Sequence, residues 1–467
     1  MLFTTNAFWN FFCVFFLIYW ALRGRRLRLL WLLGGSIFFY MSWNPWLISL
    51  ILFSASVDYL TALWMDRLKQ TWQRRTLLIF SITTNLGLLA FFKYVNFFLA
   101  SAYTIQGWMG TEPASRFINI ILPLGISFYT FETISYIVDV YLKRAAPVRD
   151  PLEYAVFILF FPHLVAGPIV RPRDFLPQVR RRHRFSWDRL QLGLQFFLIG
   201  LLKKSGLADT LIGVVDPVFA APDQYGTAAT WLAVLAYSAQ IYLDFSGYSD
   251  MAVGLAHMLG YRLPKNFNMP YLAANMTDFW RRWHISLSSW LRDYLFIPIG
   301  GSRAGLWQTC RNLMVTMLLG GLWHGASWTF VAWGGWHGVL LVAHKLLPRW
   351  QWRESIAFRP LAITGTFLAV TVGWVFFRAQ SFADAGTILS QLCWPTAGQV
   401  LSEGQLWKVA IVLVLLVVGH SIHVLVDLRR RERALPDVAV GAVLTALLLM
   451  ALVLSPEKSQ AFIYFQF

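Results

Sequence analysis

Charged residues are scarce in this chain of 467 residues, in which Asp, Glu, Lys and Arg make up 13% and hydrophobic residues 57%. The mean hydropathy is +0.53. So little charge excludes an ordinary soluble protein of this length. The composition predicts an all-α polytopic membrane protein, because no apolar segment shows the alternating pattern of a membrane barrel strand.

Several chemical signatures are also missing. No GxGxxG or GxxxxGK(S/T) phosphate loop, HExxH zinc motif or GxSxG nucleophile elbow occurs, which excludes the common enzyme chemistries that use them. Cysteine is rare, and Cys13, Cys310 and Cys393 lack the spacing of a disulfide framework or a zinc site. We expect these cysteines to be small apolar fillers, and we expect no metal.

Apolar segments long enough to cross a membrane recur along the chain. A helix needs about 20 residues to span the hydrocarbon core, and the segments predict about 11–13 transmembrane helices. The first segment lacks a basic n-region and a small-residue cleavage site, so we expect it to be retained. The segments have the approximate bounds 3–22, 29–42, 45–65, 76–99, 117–141, 189–211, 228–243, 311–330, 332–346, 360–377, 406–426 and 437–454.

The net charge of +17 does not predict nucleic-acid binding, because the basic residues form short clusters between the apolar segments. Examples are RGRRLR at 23–28, RLKQTWQRR at 67–75 and KRAAPVR at 143–149. These clusters can all lie on one side of the membrane, which the positive-inside rule makes the cytoplasmic side. Both termini then face the exterior. The expected environment is the lipid bilayer.

Polar, aromatic and glycine residues interrupt the apolar pattern between about 240 and 340, as membrane proteins tolerate where the backbone faces protein or a water-filled cavity. The stretch YLDFSGYSDMAVG carries Asp244 and Asp250. We expect hydroxyls and nearby arginines to satisfy both carboxylates within a broken helix, with an acid or base role as the alternative.

An amphipathic helix is predicted after Thr277 or Asp278, either of which can cap it. Aromatic and aliphatic residues then recur with helical spacing up to Tyr294, and His284 lies on that face. A basic opposite face is typical of a helix at the cytoplasmic interface, and binding of a phosphorylated ligand is the alternative. The opposite face consists of Arg281, Arg282, Ser288, Ser289 and Arg292.

Two further histidines follow this helix. His324 lies within the next apolar run, and His337 follows it in WGGWHG. A neutral imidazole accepts a proton near neutral pH, and an ionisable residue at membrane depth is a candidate functional site. The histidines therefore predict proton abstraction inside the membrane, although a proton-coupled transporter would use the same residue types.

Longer motifs spread over nearly the whole chain carry a family resemblance. They include FPHLVAGPIVRPRDFLPQV at 161–179, DFWRRWHISLSSWLRDYLFIPIGG at 278–301, LGGLWHGASWTFVAWGGWHG at 319–338 and the terminal FIYFQF. The sequence resembles the membrane-bound O-acyltransferase superfamily, and within it the alginate O-acetyltransferase branch of bacterial inner-membrane proteins.

The resemblance implies a single domain, a helical bundle with interfacial and re-entrant helices around a central tunnel. Its expected parts are N-terminal helices at 1–115, a catalytic core at 116–345 and C-terminal helices at 346–467. It also implies that His324, in GLWHG, is the catalytic residue and that His284, in WRRWH, is a second important histidine.

The resemblance further implies the partners. Acetyl-CoA is the expected cytoplasmic donor, and a separate periplasmic acetyltransferase is expected to place the acetyl group on an exopolysaccharide such as alginate or cellulose. A polysaccharide synthase complex is another expected partner. The absence of GxSxG fits a division of labour in which the periplasmic protein supplies the serine nucleophile.

Acyl transfer needs a base and stabilisation of a developing oxyanion. His324 can serve as the base or carry the acetyl group itself, and the sequence leaves both roles open. No cofactor is expected to stay bound. The cations expected to hold the phosphates of acetyl-CoA are Arg281, Arg282, Arg292 and Lys265.

Other functions also fit the residues. The superfamily includes D-alanyl transfer to teichoic acid, and a proton-coupled transporter would equally use broken helices and buried histidines. In a non-catalytic scaffold for a polysaccharide synthase, His324 would only be packed. Arg378 is expected to be an interfacial anchor or a contact for the partner protein.

Overall fold

The computed structural model describes residues 1–110, 117–303, 305–347, 357–425, 441–442, 445–446, 448–450 and 462–463. The regular secondary structure of these residues is helical, and their β-type pairing is limited to an isolated bridge between Tyr225 and Gln399. The all-α prediction is therefore confirmed.

Nineteen α-helices occur in the described part of the chain, and three π-helical segments interrupt or extend them at Ala90–Tyr94, Leu202–Ala208 and Arg292–Phe296. The α-helices are α1 (Asn6–Ala21), α2 (Arg25–Met41), α3 (Ile48–Arg67), α4 (Thr71–Leu89), α5 (Val95–Trp108), α6 (Ile126–Tyr141), α7 (Pro151–Leu159), α8 (Phe161–Leu164), α9 (Pro172–Val179), α10 (Trp187–Leu201), α11 (Ile212–Ala220), α12 (Thr227–Met258), α13 (Met276–Arg282), α14 (Ile285–Leu291), α15 (Leu306–His324), α16 (Trp328–Leu346), α17 (Arg359–Arg378), α18 (Phe382–Cys393) and α19 (Glu403–Leu425).

Four helical stretches of the described chain are both long and apolar enough to cross a membrane, which confirms the membrane-protein prediction. They are Pro45–Arg67, Thr71–Trp108, Arg359–Arg378 and Glu403–Ser421. The expected total of about 11–13 transmembrane helices stays a prediction. The expected segment 437–454 lies largely outside the described residues.

The predicted segment 117–141 begins too early, because residues 117–125 are not α-helical and α6 starts at Ile126. Gly125 has a φ of +71°, a left-handed conformation that an L side chain rarely adopts. A Cβ there would lie 2.5 Å from the carbonyl oxygen of Leu164. The chain therefore turns at Gly125 before the helix begins.

The described residues form two packing units. The first comprises Met1–Gly193 and Ala252–Pro264. Its core includes Phe161, whose ring meets those of Phe15 and Phe39 at centroid distances of 5.4 and 5.6 Å. Aromatic pairs at such distances add to the stabilisation from burial alone.

The second unit comprises Leu194–Met251 and Lys265–Phe467. All the candidate site residues of the sequence analysis belong to this unit. Two of its three boundaries along the chain fall inside α10 and α12, and the third lies between Pro264 and Lys265. The division into parts at 1–115, 116–345 and 346–467 stays a prediction.

Candidate active site

The predicted continuous helix around His284 is wrong. Helix α13 ends at Arg282 and α14 begins at Ile285, and His284 between them has a φ of +41°. A non-glycine residue in this left-handed region costs roughly 1–2 kcal/mol. The predicted cap is also corrected, because the side chain of Asn275 accepts the backbone N–H of Asp278 at 2.8 Å.

Asn266 is the residue that stabilises this turn. Its backbone carbonyl accepts the N–H of Ile285 at 2.8 Å, and its side-chain oxygen accepts the hydroxyl of Ser286 at 2.9 Å. The same oxygen lies 3.1 Å from Nδ1 of His284. An amide oxygen only accepts, so Nδ1 of the neutral ring carries the proton and Nε2 carries the lone pair.

His324 is the last residue of α15, so the predicted apolar run 311–330 is not one helix. The helix ends because Gly325 is extended, with φ −157° and ψ 151°. A Cβ at Gly325 would lie 2.1 Å from the ring of Phe330. Ser327 then caps α16 by accepting the N–H of Thr329.

Aromatic rings surround His324, which is 4% exposed. Its ring centroid lies 4.9 Å from that of Trp323, 4.9 Å from that of Trp333 and 5.4 Å from that of Phe377. Trp323 also contacts His284, at 6.2 Å. The structure therefore brings the two motif histidines together around one indole ring, and their catalytic roles stay predictions.

His337 is completely buried in the same aromatic cluster. Its ring lies 4.9 Å from that of Trp333 and 5.2 Å from that of Trp280. Neither ring nitrogen has a hydrogen-bond partner among the described residues. Trp333 thus contacts both His337 and His324.

Close packing of α15 against α16 positions His324. A Cβ on Gly334 would lie 2.3 Å from the backbone oxygen of Met317, so only glycine fits there.

We expect Gly334→Ala to lower the free energy of unfolding by about 1–3 kcal/mol through overpacking, measured by denaturant titration in mixed micelles. Gly335→Ala is the matched control, because its Cβ would meet only a Leu318 methyl at 3.5 Å. Equal stability of the two variants would contradict this packing role.

Asp244 lies in a buried charge network on α12. Lys204 binds Asp244 at 2.5 Å and Asp209 at 2.6 Å, and the three side chains are at most 3% exposed. The backbone N–H of Ile463 also donates to Asp244, at 3.0 Å. Asp250 pairs instead with Lys203, at 2.6 Å.

The expectation of a broken helix at Asp244 and Asp250 is wrong, because α12 runs without interruption from Thr227 to Met258. Lysines rather than arginines satisfy both carboxylates. The sequence analysis missed Lys203, Lys204 and Asp209. The signal was present, since charged residues inside the predicted segment 189–211 needed buried partners.

Arg281, Arg282 and Arg292, the three arginines expected on one helix face, do not share it, because the chain turns at His284. Arg282 donates to Asp278 at 2.8 Å and to the backbone oxygen of Asn268 at 3.3 Å, and Lys265 donates to the side chain of Asn268 at 2.6 Å. These two cations therefore meet at Asn268. Arg281 and Arg292 are exposed, and Arg292 donates to Asp293.

Arg378 ends α17 and has an intramolecular partner. Its guanidinium donates to Asp216 at 2.8 Å and lies 5.8 Å from the ring centroid of Phe219. Its roles as interfacial anchor and partner contact stay predictions.

The family model described as MBOAT, the membrane-bound O-acyltransferase family, matches residues 38–383. This match includes both motif histidines and most of the chain. The chain belongs to the membrane-bound O-acyltransferase family. It is therefore a membrane-embedded acyltransferase, as the sequence motifs predicted.

Relatives of this chain are named for different polymers. The "Probable alginate O-acetylase AlgI" of Pseudomonas putida is 39% identical over 494 aligned residues, covering 100% of both chains. The "Peptidoglycan O-acetyltransferase" of Helicobacter pylori is 38% identical, covering 77% of this chain and 72% of the relative. The "Teichoic acid D-alanyltransferase" of Bacillus subtilis is 32% identical, covering 56% of this chain and 70% of the relative.

The buried histidines suit the chemistry of an O-acyltransferase. A neutral imidazole can take the proton of an attacking hydroxyl, and Nε2 of His284 carries a lone pair for such a role. Trp333 contributes a buried indole N–H that has no acceptor among the described residues. An N–H donor beside the reacting carbonyl stabilises the oxyanion that forms during acyl transfer.

Proposed function

We propose that this O-acyltransferase takes an acetyl group from acetyl-CoA and passes it across the bacterial inner membrane for O-acetylation of an exopolysaccharide, with His324 as the catalytic residue. The observation that carries the proposal is the buried position of His324 at the end of α15, where it shares Trp323 with His284. The activities for which the Pseudomonas putida and Helicobacter pylori relatives are named support acetyl as the group transferred.

In the proposed reaction, an acceptor hydroxyl attacks the carbonyl carbon of the thioester while His324 takes the hydroxyl proton. The carbon–sulfur bond then breaks, and the leaving thiolate takes that proton from the imidazolium, which restores the neutral ring. The indole N–H of Trp333 donates to the carbonyl oxygen as negative charge develops. His284, oriented by Asn266, assists proton transfer.

The donor enters from the cytoplasm in this proposal. Arg282 and Lys265, which meet at Asn268, bind its phosphates together with the exposed Arg281 and Arg292. A separate periplasmic acetyltransferase, acting with a polysaccharide synthase complex, receives the acetyl group. Alginate is the polymer favoured by the relative that matches over the full length.

Purified protein supplied with acetyl-CoA radiolabelled in the acetyl group tests the choice of donor. We expect release or transfer of labelled acetyl, and no turnover of a D-alanyl carrier protein. Turnover of the D-alanyl carrier protein alone would contradict acetyl-CoA as the donor. It would favour D-alanyl transfer, the activity for which the Bacillus subtilis relative is named. Proton-coupled solute uptake into liposomes without any acyl turnover would overturn the whole proposal.

A further inference from the structure

A basic cavity of about 400 Å³ lies within the first packing unit, and its lining residues are far in sequence from His284 and His324. Its lining includes Lys69, Arg74 and Lys143 but only one carboxylate, that of Asp66. Its volume falls within the range of small-ligand sites, about 300–1,000 Å³. The charge of the lining favours an anionic occupant.

The single carboxylate does not neutralise this cavity. Asp66 already pairs with Arg149, at 3.5 Å. In the described part of the chain, neither Lys69 nor Lys143 forms an ion pair. An excess of cations at one site is stable when an anion binds there or when water solvates each ammonium group.

Arg74 forms the wall of the cavity beside the end of α6. One of its terminal nitrogens donates to the backbone oxygens of Val140 and Tyr141, at 3.3 and 2.9 Å. Its Nε is buried and has no partner among the described residues. The guanidinium is therefore held in place at the wall of the cavity by backbone carbonyls.

Lys143 occupies a position that favours glycine. Its φ is +57°, and the N–H of Arg144 donates to the carbonyl of Asp139 at 2.8 Å. This is the left-handed turn that commonly ends a helix, where a Cβ is unfavourable. A lysine at such a position points to a function of its side chain, because a strained conformation persists where something else requires it.

The cavity also lies at a membrane boundary. Lys69 belongs to the short connection between the candidate spans Pro45–Arg67 and Thr71–Trp108. The basic clusters at 67–75 and 143–149 assign this connection to the cytoplasmic side. Basic sites between transmembrane helices on that side bind the phosphate groups of anionic lipids.

We propose that Lys69, Arg74 and Lys143 form a binding site for a phosphate ester, supplied by the headgroup of an anionic membrane lipid. The two lysines pair with the phosphate from the solvent side, and Arg74 donates from the wall of the cavity. The site is independent of acyl transfer, so its test does not depend on the proposed function.

Binding of phosphatidylglycerol to the purified full-length protein in detergent, followed by native mass spectrometry, tests this site. We expect Lys69→Gln/Lys143→Gln to weaken binding roughly thirtyfold, since each cation of the site contributes roughly fivefold. Arg67→Gln/Arg75→Gln is the matched control. It removes the same charge from neighbouring exposed positions outside the cavity, and we expect unchanged binding.

The variant Lys143→Gly distinguishes a loss of lipid binding from a loss of protein stability. Glycine relieves the left-handed strain, so we expect an unchanged or higher unfolding temperature together with weaker binding of phosphatidylglycerol. Equal binding by wild type and both lysine variants would overturn the site. So would phosphatidylcholine binding as tightly as phosphatidylglycerol. Displacement of the bound lipid by millimolar inorganic phosphate would show that a free phosphate, and not a lipid, is the occupant.

Discussion

Replacement of His324 by alanine lowers the rate of acetyl transfer by about 10²–10⁴-fold, the range that a positioned acid or base contributes. The buried ring at the end of α15 is then missing, so the base proposed to take the proton of the attacking hydroxyl is absent. The measurement is the rate of labelled acetyl transfer under saturating acetyl-CoA, with the amount of folded protein matched by size-exclusion chromatography.

His337→Phe is the matched control for this loss. His337 is also buried and also contacts Trp333, but it has no part in the proposed reaction. Phenylalanine fills a similar volume and introduces no polar atom into the aromatic cluster. We expect transfer close to the wild-type rate. A comparable loss in His337→Phe, or an active His324→Ala protein, would remove His324 from the proposed mechanism.

The two chemical roles open to His324, general base and acetyl carrier, differ in whether the histidine is acetylated during turnover. A base never bonds to the acetyl group, whereas a carrier forms an acetyl-imidazole. Rapid quenching during turnover, followed by mass spectrometry of the peptide that contains His324, separates them. We expect an unmodified peptide, because the proposed reaction transfers the acetyl group directly between sulfur and oxygen.

Lys204→Met destabilises the protein by about 3–5 kcal/mol, the cost of removing one partner of a buried ion pair. The substitution leaves Asp209 and Asp244, each at most 3% exposed in its side chain, without their shared cation. Equilibrium unfolding by sodium dodecyl sulfate in mixed micelles measures the loss.

Lys203→Met is the control for Lys204→Met. Among the described residues, Lys203 pairs only with Asp250, and both of these side chains are partly exposed. We expect Lys203→Met to lower the free energy of unfolding by less than about 1 kcal/mol, as for solvent-exposed ion pairs. The triple variant Lys204→Met/Asp209→Asn/Asp244→Asn is expected to regain stability, since it removes the carboxylates left unpaired. Equal losses in the two lysine variants would contradict the buried network.

The network at Asp244 also reaches the histidines through aromatic contacts. Asp244 holds the backbone of Ile463, and the neighbouring Phe462 contacts Phe245 at a centroid distance of 5.4 Å. Phe245 meets the ring of His284 edge-on at 4.6 Å. Loss of Lys204 therefore disturbs the surroundings of His284 as well as the stability of the unit.

Local patterns predicted the parts of this protein that depend on neighbours in sequence. Apolar runs indicated helices, as the all-α structure shows. The turn at His284 escaped prediction because its hydrogen bonds come from Asn266, eighteen residues earlier. Helical spacing through 280–294 continued on both sides of the turn and gave no sign of it.

The partners of Asp244 were missed for a related reason. Ser, Gly and Tyr around it suggested an interrupted helix, whereas Gly247 in fact permits close packing, since a Cβ there would lie 2.7 Å from the backbone oxygen of Gly200. Lys204 lies forty residues away in sequence, and pairing over such a separation depends on tertiary structure. Unpaired charges in an apolar segment were the available clue.

The O-acetyl content of the exopolysaccharide made by cells that carry either wild-type protein or His324→Ala, at equal membrane abundance, tests the central claim most directly. Acetyl transfer at His324 predicts an acetylated polymer in the first case and a polymer with little or no acetate in the second. Equal acetylation in both would contradict the claim.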